Sequence, residues 1–293
     1  MSYIRFLDFQ FSIKDAITVQ AGAGDFPEII VSNQYAKARI SLYGGQVLSF
    51  HPKDAEQDLL FLSPDAEFDD GVPIRGGIPV CWPWFGPSSK SGQPSHGVAR
   101  TQTWSIEKTV QLSDGSSEIV LHLPPGDFGQ FESLALSLSI RIGKTLLLVL
   151  KTENLGDSPQ IISQALHSYL QVSRASECAI IGVNQVEYID KLLDTQPCIQ
   201  NGDLVINEPV DRIYHCVSNR VELKDAGLNR TIRITNEGND STVIWNPGCA
   251  LKDLSGESYH QMVCVESAWL NSNQHTILPN ESLLLSTEIG VES

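Results

Sequence analysis

The chain has 293 residues, of which 41% are hydrophobic and 19% are charged, and this composition excludes an intrinsically disordered protein. Its formal net charge is −15, from 35 acidic and 20 basic side chains. Such a charge opposes the electrostatic attraction that supplies most of the nonspecific affinity of proteins for nucleic acid. We therefore expect neither nucleic acid nor an anionic membrane as a partner.

The sequence carries no targeting or membrane signal that we can identify. No run approaches the roughly 18 consecutive apolar residues of a membrane span, and the start MSYIRFLDFQF lacks the basic, apolar and small segments of a signal peptide. Six cysteines are scattered along the chain without a C-x-x-C pair. These features predict a cytoplasmic protein with reduced, packed thiols, no disulfide framework and no metal site.

The first clear strand signal, ARISLY at 38–43, precedes a long region from Leu60 to Gln102 that is rich in turn-forming residues. This region contains RGGIPVCWPWFGPSSKSGQPSHGVAR, which begins with Arg75 and ends with Arg100. Loops on a rigid scaffold commonly carry binding and catalytic residues. Because the overall charge is negative, a site for an anionic ligand would need its own concentrated positive charge.

Further along the chain the hydrophobic residues recur with a period of two. LALSLSIRI at 134–142 alternates strictly, and TLLLVLKTEN follows it after Gly143 and Lys144, so the two segments predict a hairpin. Other short β-rich runs are SEIVLHL, RVELK, TIRITN, TVIWN and QMVCVESA, with turn clusters between them. We find no long helical stripe and no internal repeat. The pattern predicts an all-β fold, a large antiparallel β-sandwich with long loops and little helix.

Two strand segments contain residues that can transfer protons. In QALHSYLQV at 164–172, alternation places His167 on the face opposite Leu166 and Leu170. In MVCVESA at 262–268, Glu266 is a carboxylate inside an otherwise apolar strand. A buried carboxylate is costly unless paired, and such groups are often functional, although a structural role stays open for both. Asp211 in DRIYH is a third candidate, for which a salt bridge or a turn cap is the alternative.

Several segments together resemble the aldose 1-epimerase superfamily, and more narrowly the D-hexose-6-phosphate mutarotases, also called glucose-6-phosphate 1-epimerases. The segments occur in the order of that family and span most of the chain: YGGQVLSF at 43–50, RGGIPVCWPWFGP at 75–87, HGVAR at 96–100, ALHSYL at 165–170, DRIY at 211–214, WNPG at 245–248 and VCVESA at 263–268. The run RGGIP-x-CWPWFGP followed by HG-x-AR is the most specific of them. The resemblance implies one mutarotase-like β-sandwich domain over residues 1–293, although the length alone would permit two domains.

The resemblance also implies roles for individual residues. His167 corresponds to the catalytic acid, Glu266 to the catalytic base and Asp211 to the aspartate that orients sugar hydroxyls. The substrate-binding residues are expected to be Arg75 and Arg100 at the phosphate and His96 beside the sugar ring. Within the same loop we expect Gly76 and Gly77 to let the backbone approach the sugar, and Trp82, Trp84 and Phe85 to supply apolar walls or ring stacking. For Trp82 and Trp84 a position in the core is an equal alternative.

The chemistry implied is the interconversion of the α and β anomers of a hexose 6-phosphate, with glucose 6-phosphate as the expected substrate. A base removes the proton from the C1 hydroxyl while an acid, His167 as imidazolium, protonates O5, so we expect the two groups on opposite sides of the anomeric centre. The reaction needs no cofactor, and a monomer is the expected state. Two alternatives stay open: an aldose 1-epimerase acting on unphosphorylated sugars, and a noncatalytic carbohydrate-binding or regulatory protein on the same fold.

Overall fold

The computed structural model describes residues 2–126, 128–193, 196–215, 219–271 and 274–292, and within these ranges it contains one α-helix and 21 strands. The helix is α1 (Tyr3–Phe11). The strands of the first half are β1 (Ile17–Ala21), β2 (Pro27–Ser32), β3 (Ala36–Ser41), β4 (Gln46–Pro52), β5 (Val80–Cys81), β6 (Ser105–Gln111), β7 (Ser117–His122), β8 (Leu134–Ile142) and β9 (Leu146–Asn154). Those of the second half are β10 (Gln164–Leu166), β11 (Tyr169–Gln171), β12 (Cys178–Ile181), β13 (Glu187–Asp190), β14 (Cys198–Ile199), β15 (Leu204–Val205), β16 (Val210–His215), β17 (Arg220–Asp225), β18 (Arg230–Glu237), β19 (Ser241–Asn246), β20 (Met262–Trp269) and β21 (Ser282–Val291).

The strands form three antiparallel sheets. The first has four strands in the order β1-β2-β3-β4, and the second has nine in the order β15-β12-β17-β18-β21-β9-β8-β7-β6. The third has eight strands, in the order β14-β13-β16-β19-β20-β10-β5 with β11 also paired to β20. The predicted all-β sandwich is confirmed, and each of the predicted β-rich runs forms a strand.

The nine-stranded sheet contains the predicted hairpin. Leu134 of β8 pairs with Asn154 of β9, and this register continues without a bulge to Ile142 and Leu146. Along β8 every second residue from Leu134 is buried, because that face covers the core while the other faces outward. The alternation in the sequence therefore results from the burial of one face of the strand.

One apolar cluster joins the three sheets. It contains buried side chains of the four-stranded sheet such as Ile29, of the nine-stranded sheet such as Leu148, and of the eight-stranded sheet such as Val265. Burial of this apolar surface is the main favourable contribution to folding. The cluster holds the eight-stranded sheet rigidly from behind, which leaves its other face free to carry side chains with chemical roles.

The helix at the start of the chain was not predicted from the sequence, whereas the long loop region was. The opening segment forms a nine-residue helix that the period-two analysis did not anticipate, with the Ser2 hydroxyl accepting a hydrogen bond from the amide of Arg5. The expected long loop region from 60 to 102 contains only β5 and a three-residue 3₁₀ helix at Ala99–Thr101.

Two further observations bear on the expected cellular setting. In the part of the chain that the structure describes, no helix has both the length and the hydropathy that a membrane crossing requires. Cys81, Cys178, Cys198, Cys249 and Cys264 are free thiols, and Cys216 lies outside the described residues.

Candidate active site

Strand register aligns one row of side chains across the face of the eight-stranded sheet that lies opposite the shared apolar cluster. Asp211 of β16 pairs with Trp245 of β19, which pairs with Cys264 of β20, which in turn pairs with Tyr169 of β11. Residues paired across antiparallel strands project on the same side of the sheet. An aspartate, a tryptophan and a tyrosine from distant parts of the sequence are thus aligned.

A second row lies two residues away on the same face. Ile213 pairs with Val243, and Val243 pairs with Glu266. On the far side of β20, Leu166↔Ser267 and Tyr169↔Cys264 belong to one continuous register, which sets His167 directly opposite Glu266.

The segment around His167 departs from the single strand expected over 164–172. It forms two three-residue strands, β10 and β11, interrupted at His167 and Ser168. Within the interruption, the amide of His167 donates to the carbonyl of Pro79 at 3.0 Å, which continues the register of β10 against β5. The carbonyl of Ser168 accepts from the amide of Val265 in β20 at 3.1 Å, so the backbone of this segment is held on two sides.

Both rows open into a cavity of about 660 Å³, a volume typical of sites for small molecules. The sheet contributes Asp211, Ile213, Val243, Trp245 and Glu266 to its lining, together with His167. The surrounding loops contribute Arg75, Phe85, Gly86, Pro87, Ser95, His96, Arg100, Ser163, Lys191 and Leu270. All six residues predicted from the sequence to form a site line this one cavity.

His167 and Glu266 form a buried pair. His167 Nε2 lies 3.3 Å from Glu266 Oε1, and the two residues are 8% and 1% exposed. Within the described ranges, His167 Nδ1 and Glu266 Oε2 have no hydrogen-bond partner. The two groups lie side by side on one wall of the cavity.

Burial opposes the charged form of both members of this pair. Burial, together with the positive charges of Arg100 and Arg75 and the neighbouring His96, lowers the pKa of His167 well below its usual value. Burial and the negative charge of Asp211 raise the pKa of Glu266 well above its usual value, although Arg100 acts in the other direction. Both pKa shifts favour a neutral imidazole and a protonated carboxyl group in the ligand-free protein.

Arg75 reaches the cavity from the loop before β5 and is held by two side chains. Its Nε donates to Asp253 Oδ2 at 3.0 Å, and its Nη1 donates to the hydroxyl of Tyr169 at 2.8 Å. Its guanidinium carbon lies 5.9 Å from the centre of the Trp245 ring. Three of its five N–H groups remain available to a ligand.

Arg100 reaches the same cavity from the far end of the loop. Its Nη2 donates to the carbonyl of Ser95 at 2.8 Å, and no ion pair of this arginine is found among the described residues. Arg100 therefore brings an uncompensated positive charge to the cavity. Arg100 and Arg75 both lower the pKa of His96 and of His167, so both charges act on the acid/base region.

His96 is an uncharged donor at the cavity wall. Its backbone is left-handed, with φ of 62°, and its Nδ1 accepts a hydrogen bond from the amide of Gly86 at 3.3 Å. Burial, Arg100 and Arg75 lower the pKa of His96 to about 4. Because Nδ1 is the acceptor, the proton of the neutral ring resides on Nε2, where it can donate to a ligand.

Asp211 is not used in a local salt bridge. The neighbouring Arg212 donates from Nε to Asp190 Oδ2 at 3.1 Å, so the ion pair considered from the sequence is made by Asp190 instead. Burial raises the pKa of Asp211, and the charge of Lys191 opposes this effect. Lys191, whose amide donates to the carbonyl of Asp211 at 2.8 Å, lines the cavity beside it.

Of the three aromatic side chains expected to form apolar walls, only Phe85 lines the cavity. Trp82 is completely buried and donates from Nε1 to Thr152 Oγ1 at 3.1 Å, so it belongs to the core. Trp84 donates from Nε1 to the carbonyl of Pro94 at 3.0 Å and packs near Phe131. Neither tryptophan is among the residues that line the cavity.

The two glycines after Arg75 also have a different role from the one expected. A Cβ on Gly76 would lie 2.5 Å from the carbonyl oxygen of Phe61, and one on Gly77 would lie 2.1 Å from that of Val47. Both glycines have positive φ, 115° and 61°. They are required because the loop packs closely on the protein's own backbone, not because a sugar approaches them.

Several residues of the site were not predicted from the sequence. Lys191 and Trp245 line the cavity, and Asp253 and Tyr169 hold Arg75. The alternation in 164–172 already placed Tyr169 on the face of His167, but Trp245 needed the register between strands. Within the described residues, no cluster of three or more His, Cys, Asp or Glu side chains has an arrangement suited to a metal ion.

Comparison with known proteins identifies the family. The model of the aldose 1-epimerase family matches residues 27–290. A protein of Escherichia coli (strain K12) named "putative glucose-6-phosphate 1-epimerase" is 32% identical over 259 residues, covering 84% of this chain and 84% of that protein. A plant protein of the same name, from Cenchrus ciliaris, is also 32% identical and covers 79% of this chain and 74% of its own length.

Solved structures agree with this assignment. The crystal structure of a "putative mutarotase (YeaD)" from Salmonella typhimurium superposes with a TM-score of 0.88 at 27% identity, covering 97% of this chain and 96% of that one. A galactose mutarotase-like protein from Clostridium acetobutylicum has a TM-score of 0.75 at 16% identity over 96% of this chain and all of its own, which supports the fold alone. The chain therefore belongs to the aldose 1-epimerase family.

Proposed function

We propose that this protein interconverts the α and β anomers of a hexose 6-phosphate, with glucose 6-phosphate as the preferred substrate, by acid/base-catalysed ring opening and closure. The observation that carries this proposal is that the His167–Glu266 pair and two arginines line one cavity. The pair supplies the chemistry of an isomerase, and the arginines supply recognition of a phosphate. The names of the relatives agree with this substrate.

Ring opening requires two proton transfers at atoms that are both bonded to C1. Glu266 takes the proton from the C1 hydroxyl, His167 donates a proton to O5, and the C1–O5 bond breaks to give the aldehyde. Because O1 and O5 share one carbon, an acid and a base in contact at 3.3 Å can address both atoms from one wall. Rotation about C1–C2 and reversal of the two transfers give the other anomer. Each positioned group contributes about 10² to 10⁴ in rate.

Transfer of one proton from Glu266 to His167 produces both the acid and the base. Burial favours a protonated Glu266 and a neutral His167 in the free protein. Transfer of that proton from Oε1 to Nε2 creates the carboxylate base and the imidazolium acid together. A phosphate bound by Arg75 and Arg100 compensates the positive charges that lower the pKa of His167, so substrate binding favours this transfer.

Recognition of the phosphate falls to Arg75 and Arg100. Guanidinium groups form charge-assisted, directional hydrogen bonds with phosphate oxygens. Two local positive charges also offset the unfavourable field of a protein with a net charge of −15.

Recognition of the sugar falls to the other polar residues of the cavity. Asp211 accepts hydrogen bonds from sugar hydroxyls, and Lys191 and the Nε2–H of His96 donate to them. Phe85 and Trp245 cover the apolar surface of the ring, as aromatic side chains commonly do in such sites.

We also propose that residues 1–293 form one domain, that the protein acts as a monomer and that it is cytoplasmic. The single apolar cluster shared by the three sheets supports one domain. The free thiols among the described cysteines agree with a reducing compartment.

Polarimetry on freshly dissolved α-glucose 6-phosphate tests the proposal. The wild-type protein should hasten the approach to anomeric equilibrium. Glu266→Gln should lower this acceleration by about 10² to 10⁴ while binding of the sugar phosphate, measured by calorimetry, is retained. Arg100→Ala should mainly raise KM for the phosphorylated sugar.

Two outcomes would contradict the proposal. A wild-type protein that leaves the rate of anomerisation unchanged would favour the noncatalytic alternative. Equal loss of activity on glucose and on glucose 6-phosphate in Arg100→Ala would favour an epimerase for unphosphorylated aldoses.

A further inference from the structure

We infer that Asp253 and Tyr169 are positioning residues that fix the guanidinium of Arg75 in the orientation needed to bind the substrate phosphate. The inference rests on the proposed function, because it assigns Arg75 to the phosphate. Asp253 lies 178 positions from Arg75 in the chain, outside every motif identified in the sequence.

The contacts of Arg75 leave a defined edge of the guanidinium free. Nε donates to Asp253 Oδ2 at 3.0 Å and Nη1 donates to the Tyr169 hydroxyl at 2.8 Å. One N–H of Nη1 and both of Nη2 remain for a ligand. An arginine that is already oriented loses less conformational entropy when it binds an anion, so its affinity for the anion is higher.

Asp253 is itself fixed by contacts between two loops. The hydroxyl of Ser63 donates to the carbonyl of Asp253 at 2.7 Å, and the amide of Ser63 donates to the carbonyl of Arg75 at 3.1 Å. Ser63 thereby ties the backbones of both partners of the ion pair. The amide and hydroxyl of Ser255 also donate to Asp65 Oδ2, at 2.9 and 2.7 Å, which closes the same two loops farther out.

Tyr169 links Arg75 to the acid/base pair. It is 2% exposed, and burial raises the pKa of its phenol, so the hydroxyl stays neutral and can accept the N–H of Arg75. Its ring stacks on the imidazole of His167, with centroids 4.7 Å apart and an angle of 9° between the planes. Tyr169 therefore fixes the distance between the phosphate end of the site and the group that protonates O5.

The two arginines consequently differ in what they contribute. Asp253 compensates the charge of Arg75, whereas Arg100 has no ion-pair partner among the described residues. Arg75 acts as an oriented set of donors, and Arg100 supplies the uncompensated charge. Loss of Asp253 should therefore act through the geometry of Arg75, and a neutral acceptor of the same shape should replace it.

The test compares Asp253→Ala, Asp253→Asn and Tyr169→Phe in the full-length protein. Asp253→Ala should raise KM for glucose 6-phosphate about 10-fold, with kcat changed less than about twofold. Asp253→Asn keeps an oxygen that accepts from Nε and should restore KM to within about threefold of wild type. Tyr169→Phe should raise KM by a similar factor to Asp253→Ala, because one donor of the guanidinium loses its acceptor.

Asp65→Asn is the matched control. It weakens the bonds to Ser255 between the same two loops without touching Arg75. Its KM should stay at the wild-type value even if its thermal midpoint falls. Asp65→Asn should also leave kcat for glucose 6-phosphate at the wild-type value, since the side chain of Asp65 bonds to Ser255 and not to Arg75 or the acid/base pair.

Two results would overturn the inference. Asp253→Ala with a wild-type KM would do so, and so would an increase in KM that Asp65→Asn reproduces. Calorimetric Kd values for glucose 6-phosphate, measured on the same variants, give this comparison independently of turnover. A wild-type protein that binds glucose 6-phosphate but does not turn it over would overturn the proposed function alone, whereas an active wild type with an unaffected Asp253→Ala would overturn the inference alone.

Discussion

The two large sheets differ in how their strands are buried. In β8 of the nine-stranded sheet, apolar residues face the core and the residues between them are partly or fully exposed. β9 shows the same alternation of burial, although Thr152 and Asn154 are buried beside its leucines. In β20 of the eight-stranded sheet, the seven residues from Met262 to Ala268 are all buried, Glu266 among them. β8 and β9 thus bury one face, whereas β20 is buried on both faces and encloses a carboxyl group.

Buried polar atoms that lack a hydrogen-bond partner within the described ranges occur on both large sheets. Those on the eight-stranded sheet and the segment inside it belong to Gln164, His167, Ser168, Thr242 and Glu266, and those on the nine-stranded sheet belong to Arg230, Asn236 and Thr287. Buried polar groups without partners reduce stability by roughly 1–3 kcal/mol each. Of these residues, His167 and Glu266 line the cavity, so the eight-stranded sheet holds unpaired groups ready for a ligand. Variants should separate this role from the stabilising role of the nine-stranded sheet.

The largest effect on stability is expected in the nine-stranded sheet. Leu148 of β9 is completely buried in the shared apolar cluster. Leu148→Ala should lower the free energy of unfolding by about 2–5 kcal/mol, because it removes apolar contacts and leaves a cavity. Urea unfolding measures the loss, and kcat of the remaining folded protein should be unchanged.

Leu147→Ala is the matched control for this prediction. Leu147 is the preceding residue in β9, and its side chain lies on the outer, half-buried face. The same chemical change there should lower the free energy of unfolding by less than about 1 kcal/mol. Equal losses at the two positions would contradict the assignment of opposite roles to the two faces.

The second effect is a loss of folding stability as the pH becomes acidic. The pKa of His96 is lowered from 6.5 to about 4 by burial and by Arg100 and Arg75. Above pH 6.5 the ring is neutral in both states, whereas between pH 6.5 and 4 the unfolded chain binds a proton that the folded protein does not. Stability should therefore fall as pH falls through this window, by up to about 3 kcal/mol from this residue.

Unfolding of wild type and His96→Gln at several pH values measures this contribution. Glutamine does not titrate, so the difference in unfolding free energy between the two proteins should change by up to about 3 kcal/mol between pH 7.5 and pH 4. His167 is present in both proteins, but His96 also lowers the pKa of His167, so part of the measured difference arises through that residue. A difference that is independent of pH would contradict the buried, neutral state of His96.

The sequence predicted the nine-stranded sheet better than the eight-stranded one for a physical reason. Alternation reveals a strand only when one face is exposed, as in β8 and β9. In β20, where both faces are buried, alternation could suggest only that Glu266 and the valines lie on opposite faces. The opening helix was missed because it buries only Leu7 of its nine residues, which leaves little apolar pattern to recognise.

The motifs allowed the site residues to be predicted, but they did not allow a prediction of how those residues are arranged in space. That His167 faces Glu266 follows from the register of β10 and β11 against β20, which no local pattern specifies. Asp253 contacts Arg75 only because two loops meet in space. The prediction that Gly77 permits a close approach to the backbone is correct, but the group that approaches is the carbonyl of Val47. Long-range contacts of this kind require coordinates.

The smallest expected effect is a gain in stability instead of a loss, and it tests the difference between the two large sheets most directly. Burial and Asp211 raise the pKa of Glu266 in the folded protein. This carboxyl group favours folding below its unfolded pKa, and that contribution is lost as pH rises through its folded pKa. At neutral pH Glu266 therefore reduces stability, and Glu266→Gln, which has the same shape and does not ionise, should be more stable than wild type by on the order of 1 kcal/mol.

The pH dependence distinguishes this effect from a simple gain in packing. The extra stability of Glu266→Gln should be absent near pH 4 and should grow as the pH rises above the pKa that Glu266 has in the unfolded chain. The His96 effect differs, because it appears as the pH falls below 6.5. Urea unfolding of the two proteins at pH 4, 6 and 8 provides the measurement. An advantage of equal size at all three values would mean that ionisation of Glu266 plays no part. A loss of stability in Glu266→Gln at pH 8 would mean that the carboxylate supports the fold, and the separation between a stabilising sheet and a functional sheet would then be wrong at its central residue.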